Sequence, residues 1–171
     1  VPIKSLLFVN GLSINKEISP MSAPIGLYFE DYELGAKMTT RARTITEADI
    51  VQFGSLTGDF NPMHFDANYM ESHMLGQRVA HGMLSLSYAV GQAYQLGFME
   101  RTVLAFRALE MKFSGAVYIG DTLYVELIVA ELKEARRLGG GLVTLEVKII
   151  NQKSETVQKG SWTVLVSSKP A

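Results

Sequence analysis

The segment Gly82–Leu96 constrains the fold more than any other, because it carries helical spacing with apolar or small residues on nearly every side and stops at Gly97. A helix of that kind offers water no polar face and is expected to be buried. At 1.5 Å per residue it is about 22 Å long, the span of a small sheet. The surface to bury it follows in the chain. After Arg101, the segments Leu104–Phe113, Thr122–Lys133, Leu142–Asn151 and Thr156–Ser167 are β-branched, aromatic or alternating. Gly115, Gly120-Asp121, the Gly139-Gly140-Gly141 run and the stretch 151–155 separate them, which predicts antiparallel strands joined by tight turns. One apolar helix and one antiparallel sheet imply an α+β fold in which the sheet curls around the helix, since a solitary helix has nowhere else to hide its surface.

The chain ahead of that helix reads as preparation for a loop. Tyr28–Leu34 is a lead-in closed by Gly35, and Lys37–Ile45 has enough threonine and alternation to be a strand. Thr46 and Asp49 form a capping-box-like start, Ile50, Phe53 and Leu56 follow at helical spacing, and Gly58 is a stop, so a first helix delivers Asp59 at its exit. Gly58-Asp59-Phe60-Asn61-Pro62 is dense in turn formers, and Pro62 biases Asn61 away from helical geometry; residues 58–65 are expected to be a loop, with a short helical turn over Asp66–Ser72. Residues 1–20 lack clear periodicity. A single functional domain is expected over 21–171, with 1–20 as an N-terminal extension whose removal leaves folding and activity intact.

Composition removes several function classes. Lysine and arginine number 16 against 17 acids, for a net charge of -1 with no long run of either sign, so attraction to nucleic acid or an anionic membrane is not predicted. Without cysteine there is no disulfide framework, thiolate zinc site or cysteine nucleophile, and acid/base chemistry falls to carboxylates and 3 histidines. No apolar run approaches the roughly 20 residues that span a bilayer, Ser5–Val9 being too short even for a secretory core, and the expected location is the cytoplasm.

Thr57-Gly58-Asp59-Phe60-Asn61-Pro62-Met63-His64, followed by Ala80-His81-Gly82-Met83, resembles the signature of the MaoC-like, R-specific enoyl-CoA hydratase family. The similarity runs from about Tyr28 to the end in strand and helix order, and Val117-Tyr118-Ile119-Gly120-Asp121-Thr122-Leu123 matches the family's later hairpin. The resemblance implies a hot-dog fold, an antiparallel sheet wrapped around a long buried central helix that begins just after His81-Gly82. It implies that Asp59 and His64 are the catalytic pair, that Gly82 supplies a backbone oxyanion donor and that Asn61 supports the loop. The implied enzyme is a hydro-lyase interconverting trans-2-enoyl-CoA and (R)-3-hydroxyacyl-CoA. Coenzyme A then belongs to the substrate, no separate cofactor is needed, and the assembly is a homodimer or higher homo-oligomer joined at sheet edges. The same fold also serves 3-hydroxyacyl-ACP dehydratases, thioesterases and non-catalytic acyl-thioester-binding subunits. The intact Asp/His loop argues against the last two.

The residues support those roles on their own chemistry. Hydrating a conjugated thioester requires a base to take a proton from water and an acid to supply one at the α-carbon, and one carboxylate with one imidazole suffices. Charge growing on the thioester oxygen is stabilised by a helix N-terminus, and glycine lets substrate approach the backbone. Plainer readings compete: an aspartate after a helix-ending glycine is often only a turn residue, and a lone histidine is more often a satisfied core residue. The match to the full family motif raises Asp59, and pairing with it through a Pro-bent loop raises His64. His73 and His81 with His64 and Asp66 match no compact ligand spacing, and no metal is expected. Asp121 is read as a turn residue, and Arg78, Arg101, Arg107 and Lys112 as solvated surface.

Overall fold

The computed structural model describes residues 26–170, so the expected boundary near Met21 and the extension 1–20 lie outside the described residues. A 3-10 turn at Phe29–Asp31 leads into two short strands, β1 (Lys37–Thr39) and β2 (Arg43–Thr44), and then helix α1 (Glu47–Thr57). Two short helices, α2 (Pro62–Phe65) and α3 (Ala67–Glu71), precede the central helix α4 (Gly82–Tyr94). Strands β3 (Val103–Phe113), β4 (Thr122–Ala135), β5 (Gly140–Ile150) and β6 (Thr156–Ser167) complete an antiparallel sheet in the order β1-β4-β5-β6-β3, with β2 also paired to β4. Leu127 faces Val147, which faces Gly160, which faces Met111.

Alternation in the strands makes the core. Leu123, Val125, Leu127 and Val129 of β4, Val143, Leu145, Val147 and Ile149 of β5, and Trp162, Val164 and Val166 of β6 are buried, as are Leu84, Leu86, Ala89 and Ala93 of α4. Each buried Leu, Ile or Val side chain contributes about 1.5–3 kcal/mol relative to exposure. The sheet-round-helix arrangement follows, because these strands supply the apolar face that α4 needs.

Three local expectations are corrected. First, α4 is not buried on every side: Met83, Ser87, Gly91 and Tyr94 form an exposed stripe at helical spacing, since the sheet of one chain covers one flank only. The helix also stops at Tyr94, with Gln95 as its cap and Gly97 turning at φ 86°. Second, the strand expected over Lys37–Ile45 is split in two. The Oγ1 of Thr40 accepts the Val125 N–H at 2.9 Å, taking the place of a backbone carbonyl, and the Arg41 carbonyl accepts from Gln92 Nε2 at 2.7 Å instead of a strand. Third, the loop over 58–65 contains α2. Pro62 sits at its start, where a missing N–H costs nothing, and Asn61 caps it by accepting the Met63 N–H at 3.1 Å.

The capping box at α1 forms as expected. Thr46 Oγ1 accepts the Asp49 N–H at 3.3 Å and Asp49 Oδ2 accepts the Thr46 N–H at 2.8 Å. Asp49 also receives Arg43 and the Tyr88 hydroxyl, tying α1 to β2 and α4. Thr46→Ala is expected to cost about 1 kcal/mol, read as a lower urea midpoint. An unchanged midpoint would show that the box adds nothing to global stability.

Candidate active site

Helix α1 ends where its sequence says it should. Gly58 adopts φ 78°, a left-handed conformation that suits glycine, and its N–H returns to the Gly54 carbonyl at 2.8 Å. The chain then reverses: Asp59 Oδ1 accepts the Asn61 N–H at 3.3 Å, and Asn61 in turn caps α2. One helical turn carries His64 inward, to 7% exposure, while Asp59 stays exposed. Gly54 makes this possible. A β-carbon there would lie 2.4 Å from the Phe65 ring, so its absence lets α2 pack against α1.

The segment after α3 supplies the opposite wall. Val79 donates its N–H to the Met63 carbonyl at 3.2 Å and Ala80 to Val117 at 2.7 Å, which fixes the Val79 carbonyl 2.8 Å from His64 Nδ1. A carbonyl only accepts, so Nδ1 carries the proton and Nε2 presents its lone pair. Burial holds the His64 pKa below the ordinary histidine value; the Val79 carbonyl raises it, neighbouring His81 lowers it further and the Asp59 carboxylate raises it, with a net lowering. At neutral pH this imidazole is a base. His81, at the N-cap of α4, stacks on His64 with ring centroids 3.7 Å apart and planes inclined by 26°. The Asp59 carboxylate and a nitrogen from each of His64 and His81 all lie within 4.8 Å of one another.

His64 lines a cavity of about 500 Å³ whose wall also includes Met63, Leu75, Val79, Gly82 and Phe113. The start of α4 reaches it at Gly82. The first N–H groups of a helix have no carbonyl of their own helix to bond, and no side chain caps this one. One detail differs from expectation: a β-carbon on Gly82 would sit 2.8 Å from Phe113 Cδ1, so the space that glycine leaves is occupied by the Phe113 ring. Sequence reasoning also missed Gln158, which is 1% exposed and donates from Nε2 to the Gly82 carbonyl at 2.9 Å. Its signal was a polar residue among the apolar inward positions of a strand.

Of the residues weighed as metal ligands, His73 and Asp66 are engaged elsewhere. His73 stacks on Tyr69, and Asp66 caps α3 by accepting the Tyr69 N–H at 2.9 Å. His64 and His81 come together with Asp59, each offering one ligand atom, and these atoms lie within 4.8 Å of one another. Elsewhere, Asp121 accepts the Tyr118 N–H at 2.8 Å within its turn, and Arg78 pairs with Glu47 at 2.6 Å. No helix among the described residues is long and apolar enough to cross a membrane.

A sheet wrapped around one helix, with an aspartate and a histidine close together near the start of that helix, is a hot-dog fold, and solved structures share the shape. An Archaeoglobus protein described as a monoamine oxidase regulatory protein superposes with a TM-score of 0.81 at 33% identity, covering 86% of this chain and 99% of that one. A model of the MaoC-like domain matches residues 31–152, and the chain belongs to that family. Protein MaoC of Klebsiella aerogenes is 36% identical over 121 residues, 70% of this chain but only 35% of the Klebsiella protein. An (R)-specific enoyl-CoA hydratase of Rhodospirillum rubrum is 30% identical over 143 residues, 83% of this chain and 93% of the relative.

Proposed function

We propose that the chain hydrates trans-2-enoyl-CoA to (R)-3-hydroxyacyl-CoA, and catalyses the reverse dehydration, with Asp59 and His64 as the acid/base pair. The observation that carries this reading is that His64, its Nδ1 turned to the Val79 carbonyl, has a ring nitrogen within 4.8 Å of the Asp59 carboxylate and lines a cavity that the start of α4 also reaches. Water lies between the two side chains. His64 Nε2 takes one of its protons as the water oxygen bonds to C3, the C2=C3 π electrons move toward the thioester oxygen, and the proton is returned to C2. Asp59 holds the second hydrogen of the water and stabilises the transient imidazolium. The N–H groups at Gly82 receive the charge on the thioester oxygen; such donors are worth about 3–4 kcal/mol of barrier. The cycle needs no resident cofactor and no metal.

The (R) outcome and the CoA carrier are supported by the naming of the Rhodospirillum relative. Loss of enoyl-thioester absorbance across a panel of trans-2-enoyl-CoA substrates, with chiral analysis of the product, tests both. Turnover to the (R) alcohol is expected. Turnover only on acyl-carrier-protein thioesters would replace CoA by the carrier protein, and binding without turnover would make the chain a thioester-binding subunit.

Substrate access gives a second test. Gly82→Ala is expected to push the half-exposed Phe113 ring into the cavity, raising KM severalfold while the fold survives. Unchanged kinetics would mean that the ring yields without narrowing the site.

The same reading includes a homodimer. Among the described residues, strand β3 has one unpaired edge, and its Leu104, Phe106, Leu109 and Phe113 are large apolar residues left about half exposed. Pairing of two such edges covers them. Light scattering should give twice the chain mass, and a monomer at micromolar concentration would contradict this.

A further inference from the structure

We propose that His81 is the positioning residue that sets the spacing of Asp59 and His64, an inference that rests on their assignment as the acid/base pair. It touches both, each in a different way. Its Nε2 lies 2.9 Å from the main-chain oxygen of Asp59, and because a carbonyl only accepts, Nε2 bears the proton and holds the loop by its backbone. Its ring face backs the His64 imidazole at 3.7 Å, so His64 is fixed from one side by the stack and from its Nδ1 by Val79. One ring, 3% exposed, therefore references the carboxylate-bearing loop and the base to the start of α4.

Packing alone does not account for a histidine here. The ring is also flanked by Phe53 at 5.1 Å and Phe65 at 5.9 Å, an aromatic box that phenylalanine would fill. Histidine leaves its Nδ1 buried with no hydrogen-bond partner among the described residues, and an unsatisfied buried polar atom is destabilising. What histidine adds in that box is the Nε2–H, whose one partner among the described residues is the Asp59 carbonyl. A phenylalanine keeps the stack and frees the loop; a glutamine can reproduce the donor and loses the stack.

The two contacts can be separated with His81→Phe, His81→Gln and His81→Ala in the full chain. Misplacing a catalytic group by about 1 Å can cost on the order of 100-fold. His81→Ala is expected to lower kcat by about ten- to a hundredfold with KM within a factor of about two, and the Phe and Gln variants are expected to recover part of the loss. A kcat in folded His81→Ala equal to wild type, or no recovery in either conservative variant, would overturn the proposal. A second readout is independent of activity. Long-range ¹H–¹⁵N spectra should show His64 in one Nδ1–H tautomer in wild type and averaged in His81→Ala. An unaltered His64 spectrum in that variant would also overturn the proposal. If wild type shows no turnover but the spectra change as expected, the acid/base reading fails while the positioning contact stands.

Discussion

Asp59→Asn is expected to lower kcat/KM on an enoyl thioester by about 10²–10⁴-fold while the protein stays folded. The prediction separates charge from shape. Asp59 is exposed, and its one structural bond within the loop is Oδ1 accepting the Asn61 N–H at 3.3 Å, which an asparagine oxygen can also accept. Its main-chain oxygen, held by His81, is unaffected by the substitution. What disappears is the carboxylate to which the proposed mechanism gives the orientation of water and the stabilisation of the imidazolium. Steady-state kinetics with a thermal melt as the folding control measure it; a folded variant within about threefold of wild type would show that the carboxylate is only a turn residue.

His64→Asn should be as damaging and should also change the pH profile. The asparagine amide can keep the donor to the Val79 carbonyl, 2.8 Å from Nδ1 in the native residue, while the basic Nε2 is lost. In wild type, burial pushes the His64 pKa down, so the free base persists as pH falls past the usual value of about 6.5. Activity is therefore expected to hold near pH 6.5 and to fall only through the lower native value. The stability sign agrees. The unfolded histidine binds a proton first, so stability contributed by neutral His64 is present above about pH 6.5 and is lost as pH falls below it. The asparagine variant should lose both the rate and the acid limb, and a variant that keeps the limb would place the titrating group elsewhere.

Much of this arrangement was legible locally. Thr46 and Asp49 marked the start of α1, Gly58 its end, and the alternation of β4, β5 and β6 the inward faces, because caps, left-handed glycines and period-two burial are properties of short windows. Asp59 and His64 were brought to notice by the same loop, and the structure sets them side by side. What the sequence hid depends on contacts far apart in the chain. Thr40 breaks a strand because its hydroxyl finds Val125, 85 positions on. The exposed flank of α4 reflects how far one sheet reaches. His81 was read as part of the motif that opens the central helix and weighed as a metal ligand, since nothing in the linear spacing places its ring on His64. Gly82 was read as making room for substrate, whereas Phe113 fills that space from β3. Pro62 was read as a bend and is a helix start, two outcomes that its fixed φ serves equally.

The most direct test of the central claim is the hydration rate of the Asp59→Asn/His64→Asn double variant beside each single variant, on the best enoyl thioester of the panel. Residues that act as one unit on one water are not additive, so the double variant should be no slower than the slower single variant by more than about threefold. Losses that multiply, or a folded double variant that still turns over at near the wild-type rate, would contradict an acid/base pair at this site.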